Sequence, residues 1–286
     1  MTFLFFKYHF WRLIKSFRGT WGITTLILAG SIVWVGFLLV DNASRFHDNT
    51  SANLASGTSS VIIEKNAIIN SLARQLARQQ IERVFRVGTG LIDQKKFVLL
   101  ASQGQWKQMS NIMMPLLQEA SFTIDQIIVV DGAGMAHESN TDFSSTDWYQ
   151  GVQRTKVPYL SETYYRALSP RRNVIAFAFP VLNGENVVAV IAVQMKTDLF
   201  LKWLATAKPA NEGHTFIVDQ RGHVVAHPDL DPQGKIQNYS NQPDVKKAVD
   251  NRGGTEIVLI GQDTYISSFL PLSPYGWGVI TRIKIR

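Results

Sequence analysis

Residues suited to binding a small molecule lie together between positions 147 and 172. Trp148 and Tyr149 follow Asp147, and the stretch continues with further tyrosines and arginines, among them Tyr159, Tyr164, Tyr165, Arg166, Arg171 and Arg172. Aromatic rings can enclose a polar ligand, while indole, phenol and guanidinium groups orient it by hydrogen bonds. The pattern fits a ligand site, and it also fits aromatic residues that pack a core beside solvated arginines.

Other kinds of chemistry have weaker support in the sequence. The chain contains no cysteine, which excludes disulfides, thiol nucleophiles and cysteine-ligated metals, and it has no Gly-x-Ser-x-Gly motif. His223 and His227 precede Asp229 and Asp231. However, strand residues four positions apart are separated by about 13 Å, which is too far to share one ion. We therefore predict no catalytic residues, no metal site and no cofactor.

A hydrophobic segment near the N-terminus predicts a membrane anchor. Residues 19–40 carry no charge, and the tail before them, residues 1–18, contains Lys7, Arg12, Lys15 and Arg18. A helix over this segment spans about 33 Å, which is enough to cross a bilayer. Because basic flanking residues stay in the cytoplasm, we predict a single-pass protein with a cytoplasmic N-terminus and the chain after Asp41 on the far side. The alternative, a cleaved signal peptide, has a shorter apolar region.

The overall composition is that of a folded protein, with 45% hydrophobic and 18% charged residues. The net charge of +7 comes partly from the basic tail that precedes the predicted anchor. No basic stripe is visible in the rest of the sequence, so we expect no nucleic-acid partner.

Residues 41–120 are expected to form a long stalk helix and a further helical segment. Apolar residues recur at helical spacing in Leu54, Val61, Ile68/Ile69, Leu72 and Leu76. The glycines at positions 88 and 90 are expected to break or bend the helix, and a second helix is expected over 106–120. The apolar stripe fits packing within one domain, and it also fits a homodimer formed through the stalk; we favour the homodimer.

From residue 124 onward, short β-branched segments separated by turn residues predict strands. The expected strands are Gln126–Asp131, Asn173–Leu182, Asn186–Met195, Thr215–Asp219, His223–His227, Thr255–Ile260, Tyr265–Leu270 and Trp277–Ile283. Short helices are expected at Thr197–Thr206 and Asp244–Asn251. This order predicts an α+β fold with antiparallel sheets.

Two landmarks recur in the same order and predict two modules. Val130-Asp131 with Gly134 is matched 88 residues later by Val218-Asp219 with Gly222. Likewise Phe179-Pro180-Val181 is matched by Leu270-Pro271-Leu272, with an offset of 91 residues between the prolines. We place the modules at residues 121–207 and 208–286.

Several of these segments resemble the double Cache (dCache_1-like) family of extracytoplasmic sensor domains, which serve bacterial chemoreceptors, diguanylate cyclases and histidine kinases. The resemblance covers about residues 41–286. The matching motifs are Ile128-Val129-Val130-Asp131 with Gly134, Asp147-Trp148-Tyr149, Leu160-Ser161-Glu162-Thr163-Tyr164, Ala178-Phe179-Pro180-Val181, Val190-Ile191-Ala192-Val193, Gly222-His223-Val224-Val225-Ala226-His227-Pro228 with Gly234-Lys235, and Gly276-Trp277-Gly278-Val279.

The resemblance implies two tandem PAS-like (Cache) modules behind a stalk helix. The membrane-distal module, residues 121–207, would hold the ligand, and residues 208–286 would form the membrane-proximal module. Trp148, Tyr149 and Tyr164 match positions that surround the ligand in the family, with Asp131 nearby. The full set of candidate ligand-binding residues is Trp148, Tyr149, Tyr164, Gln194, Thr146, Asp131, Tyr159 and Arg172.

Three of the matched positions depart from amino-acid-binding members of the family. Thr146 stands where those members have an arginine, Gln194 where they have an aspartate, and Thr141 where they have a tyrosine. Charge-assisted hydrogen bonds are about twice as strong as neutral ones. We therefore predict a small polar ligand that is not an α-amino acid.

The resemblance further implies the input region of a signal-transduction receptor in the bacterial inner (plasma) membrane, with its sensor domain in the periplasm or outside the cell. The chain stops at Arg286, before the second membrane helix and output domain that family members carry. We therefore expect a chain without enzymatic activity, whose output of chemotaxis, diguanylate cyclase or histidine kinase type lies outside it. The alternative is a membrane-anchored binding or scaffolding protein that presents the domain to a separate signalling subunit.

Overall fold

The structure is a computed structural model that describes residues 57–119, 124–166, 169, 171–205, 207–209 and 213–285. The predicted tail, the predicted anchor at 19–40 and the first part of the predicted stalk lie outside these residues. Within the described ranges, no helix combines the length and the apolar character needed to cross a membrane.

Three helices come first in the described chain. They are α1 (Gly57–Leu91), α2 (Gln94–Ser102) and α3 (Trp106–Glu119). Gly88 and Gly90 do not break the helix, because α1 continues through both glycines to Leu91, while the predicted bend stays a prediction. The chain turns instead at Asp93, whose carboxylate caps α2 by accepting the N–H of Lys96 at 3.2 Å.

The first sheet is antiparallel and five-stranded. Its strands β1, β7, β6 and β4 lie side by side in that order, and β5 also pairs with β6. The elements from here to β7 are β1 (Ile124–Asp131), β2 (Met135–Ala136), β3 (Thr141–Asp142), α4 (Asp147–Thr155), β4 (Tyr159–Leu160), β5 (Tyr164–Tyr165), β6 (Asn173–Asn183) and β7 (Asn186–Lys196). We call this part of the molecule the first module.

The second sheet is also antiparallel and five-stranded, in the order β10-β11-β12-β8-β9. The remaining elements are α5 (Leu199–Leu204), β8 (Gly213–Val218), β9 (Val224–Ala226), α6 (Pro243–Val249), β10 (Gly254–Ile260), β11 (Asp263–Leu272) and β12 (Trp277–Lys284). We call β8 to β12 with α6 the second module. The predicted α+β class with antiparallel sheets is therefore confirmed, while the module boundary near residue 208 stays a prediction.

Helix α1 packs against both sheets. Its residues Ala77, Ile81 and Val84 are buried in one hydrophobic core with Phe177 and Phe179 of the first sheet. The same core includes Trp277 and Val279 of the second sheet. The predicted stalk is not confirmed, because the described helix forms one wall of this core.

The N-terminal half of α1 binds the second sheet through two buried asparagines. Asn66 and Asn70 are fully buried. The Asn66 amide donates to the carbonyls of Ile266 and Thr281 at 3.2 and 3.0 Å, and the Asn70 amide donates to the carbonyl of Val279 at 3.0 Å. Val61 and Ile68, which belong to the predicted apolar stripe, are 46% and 39% exposed. Ile69 and Leu72 of the same stripe pack against the core, so the stripe is divided between a buried and an exposed side of the helix, and the homodimer stays a prediction.

The predicted repeat is visible as two turns with the same hydrogen bonds. Asp131 accepts the N–H groups of Ala133 and Met135, and Asp219 accepts those of Arg221 and His223, all at 2.9 Å. In each turn the glycine has a positive φ, 93° at Gly134 and 75° at Gly222, which glycine adopts readily. Because the two turns are equivalent, residues at the same distance from each turn occupy matching positions in the two modules.

Hydrogen bonds around Asp219 join the two modules. Its side chain is fully buried, and one oxygen serves its own turn. The other oxygen accepts the N–H of Thr163, in the β4–β5 loop of the first module, at 2.7 Å. Next to it, Gln220 donates to Asp147 of α4 at 3.3 Å and accepts the indole N–H of Trp277 at 2.9 Å. We call this group of residues the module junction.

The packing at Gly88 leads to the first prediction. A Cβ at Gly88 would lie 2.2 Å from Cζ of Phe179, whereas a Cβ at Gly90 would have nothing within 4 Å. Gly88→Ala is expected to lower the free energy of unfolding by about 1–3 kcal/mol, because a buried ring has to move. Gly90→Ala on the same helix is the matched control, expected to raise stability by about 0.5 kcal/mol or more. Thermal denaturation of both variants measures the difference, and equal stabilities would contradict the close approach of α1 to Phe179.

The module junction leads to the second prediction. His223 lies 3.3 Å from the Asp219 carboxylate, which raises the pKa of His223 against the opposing effect of partial burial. Glu162 also raises this pKa, and Arg221 lowers it. Because the folded pKa is raised, the interaction stabilises the protein below the unfolded histidine pKa of about 6.5. That stabilisation is lost as the pH rises through the folded value.

His223→Gln is therefore expected to lower the free energy of unfolding by about 1 kcal/mol near pH 5.5 and by less near pH 8.5. Urea unfolding of the wild-type protein and the variant at both pH values measures the effect. A loss of the same size at both pH values would show that His223 is uncharged in the junction.

Candidate ligand site in the first module

Helix α4 brings two of the predicted aromatic residues onto the first sheet. Asp147 lies in the first turn of α4, where a carboxylate is favoured, and the helix ends at Lys156, which has a left-handed φ of 56°. Trp148, Tyr149 and Val152 lie on one side of the helix and are buried. The helix is thus held with its apolar side on the sheet.

The sheet surface under α4 is lined by small residues. On the two central strands, Ala178 pairs with Ala192, and Ala176 pairs with Gln194. These alanines are fully buried in one cluster with Trp148 and Tyr149, and Tyr164 packs against that cluster. Alanine contributes only a methyl group, so the side chains that cover the sheet under the rings of Trp148, Tyr149 and Tyr164 are small.

Three predicted residues meet at one end of this surface. The side-chain amide of Gln194 donates to the hydroxyl of Tyr164 at 2.7 Å. The indole N–H of Trp148 interacts with the same hydroxyl but makes no hydrogen bond of standard geometry to any described residue. Burial raises the pKa of Tyr164, although Gln194 lowers it, so the phenol keeps its proton. Trp148, Tyr164 and Gln194 are hereafter called the donor cluster.

The orientation of Gln194 is set by Arg166, which belongs to the predicted stretch of aromatic residues and arginines but is not among the candidate ligand-binding residues. Arg166 donates to the Gln194 side-chain oxygen at 3.1 Å, and also to the Gln126 side-chain oxygen at 3.1 Å. Because a guanidinium has only donors, the Gln194 oxygen must face it. The Gln194 N–H then takes the Tyr164 oxygen, so the Tyr164 hydroxyl keeps its proton for a further acceptor, and the Trp148 N–H has no hydrogen bond of standard geometry among the described residues.

Arg166 is itself buried and paired. Its guanidinium lies 2.5 Å from the carboxylate of Asp125, and both side chains are less than 10% exposed. Arg172, a predicted site residue, lies 3.3 Å from the other oxygen of Asp125. Arg172 is therefore connected to the donor cluster only through Asp125 and Arg166, and its charge is shared with an internal aspartate. One sequence signal pointed to Arg166, since it directly follows Tyr164-Tyr165.

Two predicted residues lie at the other end of strand β1. Asp131 accepts the N–H groups of its own turn and lies 2.7 Å from His137. Partial burial opposes ionisation, but the N–H of Met135 and the His137 ring hold the pKa of Asp131 below its usual range. Tyr149 donates to the carbonyl of Gly132 at 2.7 Å. Since strand residues rise about 3.3 Å each, Asp131 is about 17 Å along the strand from Gln126 and is not part of the donor cluster.

An open groove of about 500 Å³ adjoins this turn, lined by the α2–α3 loop, His137 and Glu138. Trp106 stacks on His137 in it, with ring centroids 5.2 Å apart. The groove lies outside the donor cluster.

The remaining predicted residues hold the loops in place. The Thr146 hydroxyl donates to the carbonyl of Phe143 at 2.7 Å. The Tyr159 hydroxyl donates to Asp147 at 3.1 Å, and burial followed by the Asp147 charge raises the pKa of Tyr159. The second Asp147 oxygen accepts the N–H of Glu162 at 2.8 Å. These bonds connect the start of α4 to the β4–β5 loop and, through Gln220, to the module junction.

The second module is closed at the matched positions. With the two turns as origin, Gln194 corresponds to Arg282, Ala192 to Ile280, and Trp148 to Asp244. Arg282 and Asp244 form a buried two-bond ion pair at 2.8 and 2.9 Å. Facing them, Ser267 and Phe269 stand where the first module has Ala176 and Ala178. The second module thus fills with its own side chains the space that alanines line in the first module.

The sequence matches the model of the double Cache family, described as a Cache domain, over residues 39–285. No curated protein matches the chain. Solved structures with a similar fold include the ligand-binding domain of the Campylobacter jejuni chemoreceptor Tlp3 in complex with 4-methylisoleucine. It has a TM-score of 0.58 and 10% identity, and the match covers 80% of this chain and 93% of that one.

Two further solved structures are chemoreceptor ligand-binding domains. That of Pseudomonas fluorescens CtaA with L-isoleucine has a TM-score of 0.58 and 14% identity, and the match covers 79% of this chain and 93% of that one. That of Pseudomonas aeruginosa PctB with L-Gln has a TM-score of 0.54 and 17% identity, with coverages of 78% and 89%. The sequence-based expectation against α-amino acids is not borne out by these relatives. The match over residues 39–285 shows that the chain belongs to the double Cache family of ligand-binding sensor domains.

Proposed function

We propose that this chain is the extracytoplasmic ligand-sensing region of a membrane-bound bacterial receptor, and that its ligand binds in the first module between α4 and the sheet. The chain itself has no enzymatic role in this proposal. The predicted anchor at 19–40 would hold it in the membrane, and an output domain outside these residues would carry the signal onward.

The contrast between the two modules is the observation that carries this proposal. At three matched sheet positions the first module has Ala176, Ala178 and Ala192, whereas the second has Ser267, Phe269 and Ile280. In the second module, the buried Asp244 and Arg282 satisfy each other in an ion pair at the matched positions. Only the first module combines small sheet residues with a buried donor that lacks an acceptor among the described residues. A ligand would supply that acceptor.

The donor cluster also limits the chemistry of the ligand. The Trp148 N–H and the Tyr164 O–H converge, and both need an acceptor, so the ligand must present an oxygen such as that of a carboxylate. The charge of Arg166 is largely matched by Asp125, but a guanidinium close to the site still favours an anion. α-Amino acids have such a carboxylate, and amino acids accompany the related chemoreceptor domains. We therefore propose a small carboxylate, with α-amino acids as the first class to test.

Binding at this site has a short route to the second module. Tyr164 directly follows Thr163, whose backbone N–H is bound by the buried Asp219. A ligand that draws Tyr164 toward α4 would act on this hydrogen bond. A signal then requires that the ligand bind one arrangement of the junction more tightly than the other. Val61 and Ile68, one heptad apart and exposed on α1, support a homodimer in which such a change reaches a second helix.

The test is ligand binding by variants that lack one donor each. A panel of L-amino acids is screened by thermal shift against the purified protein, and each acid is paired with the amine that lacks its carboxylate. The acids are expected to raise Tm and the amines are not. For an acid that binds, Tyr164→Phe and Trp148→Phe are each expected to weaken Kd by roughly 10-fold or more, since each removes a hydrogen bond to a charged group.

Tyr165→Phe is the matched control, because Tyr165 is the neighbouring residue on β5 and is 55% exposed. Its Kd is expected to equal that of the wild type. Unchanged affinity in both Tyr164→Phe and Trp148→Phe would show that the ligand does not bind at the donor cluster. Equal Tm shifts with acids and amines would show that the protein does not recognise a carboxylate.

A further inference from the structure

A group of metal-ligating side chains lies in the second module, outside the proposed ligand site. His214 of β8, His227 at the end of β9 and Asp229 bring one ligand atom each to within 4.8 Å of one another. The Nδ1 atoms of both histidines lie 4.0 Å from the same Asp229 oxygen. The sequence spacing suggested His223 as the partner of His227. It missed this group because His214 comes from the neighbouring strand.

The strand pairing fixes the two imidazoles side by side. β8 and β9 are antiparallel, with Ile217 opposite Ala226, and a bulge shifts the register beside this pair. The two rings have centroids 4.7 Å apart. Their side chains are only 17% and 7% exposed, and they contact Phe216, Tyr239 and Tyr265. Two nitrogen ligands are therefore held on rigid strands within an aromatic wall.

The third ligand is adjustable. Asp229 lies in the turn after β9, and its side chain is 71% exposed. Its backbone N–H donates to Nδ1 of His227 at 3.1 Å, so this nitrogen carries a lone pair rather than a proton. An ion could replace that N–H as the partner of Nδ1, and the exposed Asp229 carboxylate could rotate to bind the same ion.

The positive charge nearest to this group already has a negative partner. Arg282 lies opposite His214 in the pairing of β12 with β8. A guanidinium without a counter-charge at this position would disfavour a bound cation. Its guanidinium makes two hydrogen bonds to Asp244, at 2.9 and 2.8 Å, and one to Gln242 at 2.6 Å. The carboxylate of Asp229 is thus the charge that a bound ion would neutralise.

We propose that His214, His227 and Asp229 form a binding site for a divalent transition metal ion such as Zn²⁺, with water as the fourth ligand. Imidazole with one carboxylate is a ligand set that zinc and its neighbours accept, with metal–ligand distances of about 2.0–2.2 Å. Ligand atoms around such an ion lie about 3.3 Å apart, so rotation of the exposed Asp229 side chain and a small movement of the turn complete the site.

The test is Co²⁺ and Zn²⁺ binding by the purified full chain. Co²⁺ is expected to give a saturable visible absorption band at one equivalent, and Zn²⁺ is expected to displace it and to raise Tm. Asp229→Asn leaves the packed rings untouched and is expected to weaken Co²⁺ binding by roughly 10-fold or more. The double variant His214→Gln with His227→Gln is expected to abolish the band.

His137→Gln and His223→Gln are the controls, since these described histidines lie outside the group, and they are expected to retain the wild-type band. The proposal is overturned if Co²⁺ gives no band with the wild-type protein. It is also overturned if Asp229→Asn binds as tightly as the wild type while the double variant keeps the band. The proposed ligand site of the first module does not enter this test.

Discussion

The packing of one helix against two sheets is the constraint on which the rest of the structure depends. Helix α1 buries Ala77, Ile81 and Val84 against the first module, and it binds the second through the amides of Asn66 and Asn70. Apolar burial tolerates sliding along the helix, whereas an amide that donates to particular carbonyls does not. The asparagines therefore fix the position of the helix on the second sheet, and the apolar half follows.

Two modules with the same turn and strand pairing have been put to different uses. In the second module, the ion pair of Arg282 and Asp244 occupies the space between helix and sheet. In the first, Gln194 and Trp148 occupy the equivalent positions and leave donors available. The buried carboxylate of Asp219 binds the backbone of both modules, so the closed module supports the loop that carries Tyr164.

Much of this organisation could be predicted from the sequence, because it depends on local patterns. Alternating β-branched residues predicted the strands, and the repeated Asp and Gly predicted the two turns, which share their hydrogen bonds. The burial of Asn66 and the partners of Arg166 could not be predicted, because a polar side chain becomes acceptable inside only when distant strands supply its partners. His214 was missed for the same reason, since strand pairing rather than spacing brings it to His227.

The three alanines under α4 have an evolutionary consequence. Each could be exchanged for serine, valine or a larger residue without altering a backbone hydrogen bond, because strand pairing does not involve side chains. The volume above the sheet would change, while the turn at Asp131, the junction at Asp219 and the course of α1 would remain. Descendants of such a domain can therefore diverge in what they recognise while inheriting one unchanged mechanical frame.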